Sequence, residues 1–371
     1  MKTLVTGGAG FIGSHLVDGL LREGHEVRVL DNLDPQVHGP ARKRPAYLNR
    51  NAELQVGDVR DRDAVATALS GIEAVFHHAA AVGVGQSMYE IERYVSVNSL
   101  GTAVLLQEIV QRRDKIRKIS VASSMSVYGE GAYRDVAGAP YAPKPRPVAQ
   151  LDKHRWEPLD DAGRPLAPVP TPESKRLDPS SIYAITKRDH EEMFLVTGAT
   201  YGIPAVALRY FNTYGTRQAL SNPYTGLLAI VCSQLMNHHR PLVFEDGMQR
   251  RDFVHVSDVV RANILALGSD AANGKVFNVG TGRAVTVLDV IGLITGRLGA
   301  PQKPEIVQRY RAGDIRHCFA DISRIGQELG YRPQIALEQG IADLIPWIQS
   351  QQSADLVRSA VQDLERHALT H

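Results

Sequence analysis

The chain has 371 residues, 43% of them hydrophobic, enough for one large core with a smaller one appended. Its 42 basic and 40 acidic residues nearly cancel, and neither sign gathers into a long block, which argues against nucleic acid or an anionic membrane surface as a partner. No stretch approaches the ~18 continuous apolar residues of a membrane span, the opening MKTLVTGGAG runs from an apolar strand straight into glycines, and Cys232 and Cys318 have no second Cys or His placed to complete a zinc site. A reducing, cytoplasmic setting without a structural metal is the expectation.

Short apolar runs at 4–5, 27–30, 54–56, 74–76, 119–122 and 206–208 alternate with helix-period segments, the pattern of a parallel sheet covered by helices on both faces. After the first run, Gly7, Gly10 and Gly13 space a loop that opens a predicted helix, in which Leu16, Val17, Leu20 and Leu21 share one side. Such glycines permit a tight turn, close approach of the backbone to a diphosphate, and tight helix-to-strand packing, with Phe11 and Ile12 in the same turn. Asp31 ends the second strand roughly 20 residues beyond Gly13, where an acid binds both ribose hydroxyls of a dinucleotide. Asn32 follows it instead of an arginine that could neutralise a 2′-phosphate, so NAD is expected rather than NADP. The alternative role for Asp31 is a loop cap.

Gly57, Asp58 and Val59 follow the third strand and suit the adenine edge. His77 and His78 precede Ala79, Ala80 and Ala81, small residues beside which a cofactor can pass. The two histidines suggest no metal pair, because neighbours on a strand point to opposite faces. Segments 90–112 and 182–201 read as long helices able to pack on the sheet or meet a partner subunit.

The fifth strand ends in Ser124, at the sheet edge where ligands of doubly wound folds bind. Residues 131–179 hold ten prolines, which forbid long helices and central strands. Composition suits a flexible linker, and position, between two catalytic motifs, suits an ordered lid. Tyr183 and Lys187 then stand four apart on one helix face. A neighbouring ammonium is expected to stabilise the phenolate and lower the tyrosine pKa towards neutrality. Beyond 208 short strands and helices mix, read as a smaller domain closing over the cofactor. The expected architecture is a Rossmann-type doubly wound α/β domain over 1–210, with the insertion at about 131–179, and a smaller α/β substrate-binding domain over 211–371, some of whose segments return to the sheet.

The segments TGGAGFIGSH, LDNL, SSMSVYG, YAITK, RYFN, RDFVHV and Arg311-Ala312-Gly313-Asp314 together resemble the extended short-chain dehydrogenase/reductase family, in its NAD-dependent sugar-nucleotide epimerase and dehydratase branch. That resemblance implies Ser124 as the catalytic hydroxyl, Tyr183 as acid/base, and Lys187 as its partner and a nicotinamide-ribose contact. It places Asn98 and Tyr210 near the cofactor, and Asn212, Asn222, Arg251, Arg311 and Asp314 around a nucleotide diphosphate sugar. Arginine suits that task because its planar fork meets phosphate oxygens two at a time. The plainer alternatives are ion pairs of Arg251 with Asp252 and of Arg311 with Asp314, and a turn-initiating role for Asn212. A homodimer through the two long helices is likewise a family expectation.

Met125 and Ser126 follow Ser124. Dehydratases of this branch resemble one another in carrying an Asp-Glu pair there, and decarboxylases a glutamate at the second position, so elimination and decarboxylation lose their extra acid/base groups. Epimerisation at C4 needs only the set already present. The insertion, PVPTPES and residues 219–226, including Thr225, resemble dTDP-L-rhamnose 4-epimerase-like members. Cys318 matches a position that, in the UDP-galactose 4-epimerase group, influences room for bulky sugar substituents; burial as a small hydrophobe is its alternative.

Overall fold

The computed structural model describes residues 1–224, 226–311, 313–351 and 354–370, leaving Thr225 and Ala312 of the motifs above outside the described residues. Seven parallel strands form the main sheet: β1 (Lys2–Thr6), β2 (Glu26–Asp31), β3 (Glu53–Val56), β4 (Ala74–His77), β5 (Lys118–Ser124), β6 (Ala205–Tyr210) and β7 (Lys275–Val279), in spatial order β3-β2-β1-β4-β5-β6-β7. The register pairs Thr6 with His77, Asp31 with Val56 and Ser124 with Tyr210. The carboxyl ends of the strands therefore form one rim, and the strand order reverses between β1 and β4, where doubly wound folds open their crevice.

Helices α1 (Phe11–Arg22), α2 (Ile91–Tyr94, continuing through a π-helical Val95–Leu100 into Gly101–Val110) and α3 (Ile182–Tyr201) lie on the sheet. On one face Leu105, Ile109 and Phe194 pack with Val75, Ile119 and Val121; on the other Leu16, Val17 and Leu20 pack with Val29 and Phe76. Ser181 starts α3, its hydroxyl accepting from the Ala184 N–H at 3.1 Å, and Gly202 ends it in the left-handed conformation at φ 68°. Those caps fix where the 183/187 face lies along the sheet.

In the second half α4 (Leu227–Met236), α6 (Val287–Leu298) and α7 (Leu337–Gln349) bury Val231, Leu235, Ile294 and Ile341 in a separate core. Between them in sequence, α5 (Val256–Gly268) packs on α1 and β7 joins the sheet beside β6. These two elements of the second half thus belong to the first layer. Segment 131–179 is folded rather than a flexible linker. Ala132–Arg134 pairs antiparallel with both Pro140–Tyr141 and Ala167–Val169. Fully buried Arg316 bridges Glu157, Glu245 and Asp246 at 2.6–2.8 Å, and Arg146 reaches Glu245 at 2.8 Å. The insertion is thereby clamped to the second core by charges far away in sequence.

Candidate active site

A cavity of about 750 Å³ runs along the rim, from Asp31 past the glycine loop to Ser124, Tyr183 and Asn222. At its first end Gly7 sits at φ 68°, and a Cβ there would lie 2.7 Å from the Ala79 backbone nitrogen; a Cβ on Gly13 would run into the Gly7 carbonyl. The loop is therefore shaped so that only glycine fits, leaving the amino end of α1 open to an anionic diphosphate. Asp31 accepts from the Ala9 and Leu33 N–H groups at 3.0 and 2.9 Å and stands 3.7 Å from His38. Burial pushes its pKa up, and these donors and the imidazole oppose that shift. The loop-cap role is real, and the carboxylate still faces the cavity.

Asn32 donates to Asp58 at 3.1 Å, and Arg60 pairs with Asp58 at 2.8 Å. Arg93 is committed to Glu90 and Asp34 at 2.7 and 3.3 Å. The guanidiniums at this end are thus already engaged with carboxylates, an arrangement that suits a plain ribose better than a 2′-phosphate. Phe11, Ile12, Val59, Ala79 and Ala80 line the cavity alongside Gly10 and Gly13. This donor set and glycine cradle fit a dinucleotide.

At the other end the Ser124 hydroxyl accepts from the Ser126 N–H at 3.2 Å and from the Ser126 hydroxyl at 2.9 Å. The Tyr183 N–H donates to Ser87 at 3.0 Å, which fixes the start of α3. Burial pushes the Tyr183 phenol up to about 12, opposed by its hydrogen bond with Ser124. Burial also brings Lys187 down to about 7, and its ammonium donates to the Ala122 carbonyl at 2.9 Å. At Tyr183 burial thus outweighs the groups that lower the phenol, Ser124 among them.

Tyr210 and His78 face the cavity between the two ends, 3.4 Å apart, with the Tyr210 hydroxyl donating to Asn263 at 3.0 Å. His77 turns the other way, between Thr6 and Thr102 at 2.7 and 2.9 Å. Asn98 does not line the cavity. It staples Ala81 to Thr186, accepting from the Ala81 N–H at 2.8 Å and donating to the threonine at 2.9 Å.

Asn212 does line the cavity, in a short strand paired with 253–255 rather than at a turn, and its buried side-chain oxygen has no hydrogen-bond partner among the described residues. Asn222 also lines it, accepting from Gln36 at 3.2 Å, so it closes the cavity from above the β2 loop. Arg251, Arg311 and Asp314 lie outside the cavity wall. Arg251 donates to the Ile315 and Arg316 carbonyls at 2.7 and 2.8 Å, while Asp252 is buried and taken by Thr281 and Gly282. Arg311 does pair with Asp314, at 3.1 Å. Cys318 is buried against Tyr128, Phe211 and Ala320, as a small hydrophobe. Ser87 and Gln36 carry no signal in the sequence; ordinary polar residues in loops give none until the loops are placed.

Among the described residues no helix is long and apolar enough to cross a membrane. Residues 3–148 match the model of the NAD dependent epimerase/dehydratase family, and residues 163–344 match that of GDP-mannose 4,6 dehydratase. The chain is 37% identical to dTDP-L-rhamnose 4-epimerase of Burkholderia thailandensis, over 94% of each chain. Its structure resembles UDP-glucose 4-epimerase of Thermotoga maritima, solved with UDP-glucose, at a TM-score of 0.77 and 30% identity over 94% of this chain and 99% of that one. It also resembles UDP-glucuronic acid 4-epimerase of Bacillus cereus, solved with UDP-glucuronic acid and NAD, at 0.76 and 27% over 94% and 99%.

Proposed function

The chain belongs to the NAD-dependent epimerase/dehydratase family of sugar-nucleotide enzymes, and we propose that within it the protein is a nucleotide-sugar 4-epimerase acting on a dTDP- or UDP-hexose such as dTDP-L-rhamnose. Its cofactor is NAD. The observation that carries the choice of reaction is the distribution of carboxylates. Asp31, Asp34 and Asp58 are the acidic side chains among the described residues lining the cavity; Asp31 ends β2, Asp34 follows it and Asp58 follows β3. β5, which carries Ser124, lies three strands from β2, about 14 Å at the usual strand spacing. Beside Tyr183 the wall offers Ser124, Met125, Ser126, Phe211 and Asn212, which can hold a sugar but cannot supply the second acid/base that elimination or decarboxylation requires.

In this reading Ser124 holds the sugar 4-oxygen while Tyr183 takes its proton. Bound NAD supplies the acceptor, and then the donor, of the C4 hydride. The 4-keto sugar turns about its diphosphate link inside the cavity, and Tyr183 returns the proton to the opposite epimer. Asn212, with its unpartnered oxygen, and Asn222 bear on the sugar nucleotide. Arg251 and Arg311 bear on the diphosphate, and Asp314 orients the Arg311 guanidinium, to which it is paired at 3.1 Å. Ile91, Val95, Leu100, Ile185 and Val196 are exposed along α2 and α3, which supports a homodimer through those helices. Two buried thiols that form no disulfide accord with a reducing cytoplasm. The test is proton NMR of the protein with a panel of dTDP-, UDP- and GDP-sugars. Appearance of a C4 epimer without added NADH supports the proposal; a keto-deoxy product, or consumption of NADH, refutes it.

A further inference from the structure

Behind the catalytic pair lie two buried imidazoles for which the proposed reaction has no role. His77 and His190 are both close enough to Lys187 for its charge to bear on them. His190 is fully buried, lies tilted against His77 with ring centroids 5.2 Å apart, and brings its Nδ1 to 3.4 Å from the Lys187 ammonium. On α3 its ionisable neighbours are Lys187 itself and Glu191, which is locked in a buried pair with Arg209 of β6. From β4 it meets His77, and from α2 the backbone of Asn98. From β5 the nearest polar group offered to the lysine is the Ala122 carbonyl. Among the described residues the acceptors for this ammonium are therefore that carbonyl and one imidazole.

An unpaired ammonium in an apolar site gives up its proton unless acceptors hold it. Burial alone brings Lys187 to about 7 and raises Tyr183 to about 12, so the pair works as ammonium and phenolate only where the ammonium is kept. A carboxylate would keep it, but would also repel the phenolate. A neutral imidazole accepts a hydrogen bond without adding negative charge, and burial with the charge of Lys187 holds His190 in its neutral form.

We propose that His190 is a positioning residue for the catalytic pair: with the Ala122 carbonyl, its Nδ1 holds Lys187 as the ammonium that Tyr183 needs. The proposal rests on the assignment of Tyr183 and Lys187 as acid/base and partner, and its test uses no sugar, so failure to find a C4 epimer would leave the result standing. The NAD-loaded protein is prepared with lysine labelled by 13C at Cε, and the Lys187 signal is identified by its loss in Lys187→Met. Its titration midpoint is followed in His190→Leu, which fills the space without an acceptor, and in His190→Asn, whose side-chain oxygen reaches the place of Nδ1. The contact is long for a hydrogen bond, so its loss is expected to lower the midpoint by about half to one pH unit, a three- to tenfold change in the ammonium's acidity. His190→Asn should titrate like the parent. An unchanged midpoint in His190→Leu overturns the proposal, as does a fall in His190→Asn equal to that in His190→Leu. If His190→Leu does not fold, a lowered midpoint in His190→Asn is itself enough to overturn it.

Discussion

The ammonium of Lys187 donates to the carbonyl oxygen of Ala122 at 2.9 Å, so the lysine is anchored to β5, the strand that ends in Ser124. Its helix neighbour one turn earlier, Tyr183, is held through its N–H by Ser87. The two residues proposed as the catalytic pair are thus positioned by separate parts of the sheet rim. Tyr183→Phe removes the proton acceptor and leaves the ring in place. Turnover should fall by about 10²- to 10⁴-fold, with NAD still bound at the parental stoichiometry, as checked by cofactor content after denaturation and by initial rates.

Burial depresses His77 and His78 to about 3 and lowers His190 well below its ordinary value. Between about 3 and 6.5 His77 and His78 are neutral when folded and protonated when unfolded, and His190 acts in the same direction, so the unfolded chain binds more protons and stability rises with pH. Their contribution is complete above 6.5 and is lost as the pH falls through the folded values. Urea midpoints of the NAD-free protein should therefore drop steeply below pH 6, and His77→Asn should make that dependence shallower. An equal slope in the variant would contradict the assignment.

Gln36 donates to Asn222 at 3.2 Å and accepts from Arg93 at 2.9 Å, closing the cavity between the β2 loop and the second domain. Asn222 was expected from sequence to touch the sugar nucleotide. Its contact with Gln36 joins it to the β2 loop, on the side of the cavity expected to hold the cofactor. Asn222→Ala should speed NAD release by a few-fold in a stopped-flow displacement experiment, since one modest hydrogen bond is removed. An effect on substrate KM alone, with unchanged NAD release, would place Asn222 entirely on the substrate.

Arg316 is fully buried with Glu157, Glu245 and Asp246 around it. Removing one partner from such a cluster leaves uncompensated buried charge, so Arg316→Met should cost about 3 to 5 kcal/mol in denaturant unfolding. It should also make segment 131–179 sensitive to limited proteolysis. Parental stability would mean that the insertion is held by its apolar contacts instead.

The parts of the molecule legible in the sequence are those specified by neighbouring residues. Gly7, Gly10 and Gly13 lie within one turn, Asp31 ends an apolar run, and Tyr183 and Lys187 share a helix face, so spacing alone locates each. Packing on the sheet was equally plain from the apolar repeat of α1. The order of the Pro-rich insertion was not, because it depends on Glu130, Arg146 and Glu157 meeting Glu245 and Arg316 from the far half of the chain. The surroundings of the Tyr183/Lys187 pair are not legible either: four-residue spacing brings an ammonium near a phenol, while its burial and the Ala122 carbonyl come from other strands. Likewise Val276 to Val279 reads as a short strand of no particular allegiance until the register places Phe277 beside Leu208.

Transient oxidation at C4, with the hydride returned to the carbon it left, is tested most directly by a dTDP- or UDP-hexose deuterated at C4. Turned over by the NAD-loaded protein without added nicotinamide, it should give a C4 epimer that keeps its deuterium at C4, with none in solvent NADH. Deuterium delivered to another carbon of a keto-deoxy sugar, or released with net reduction of NAD, would contradict epimerisation.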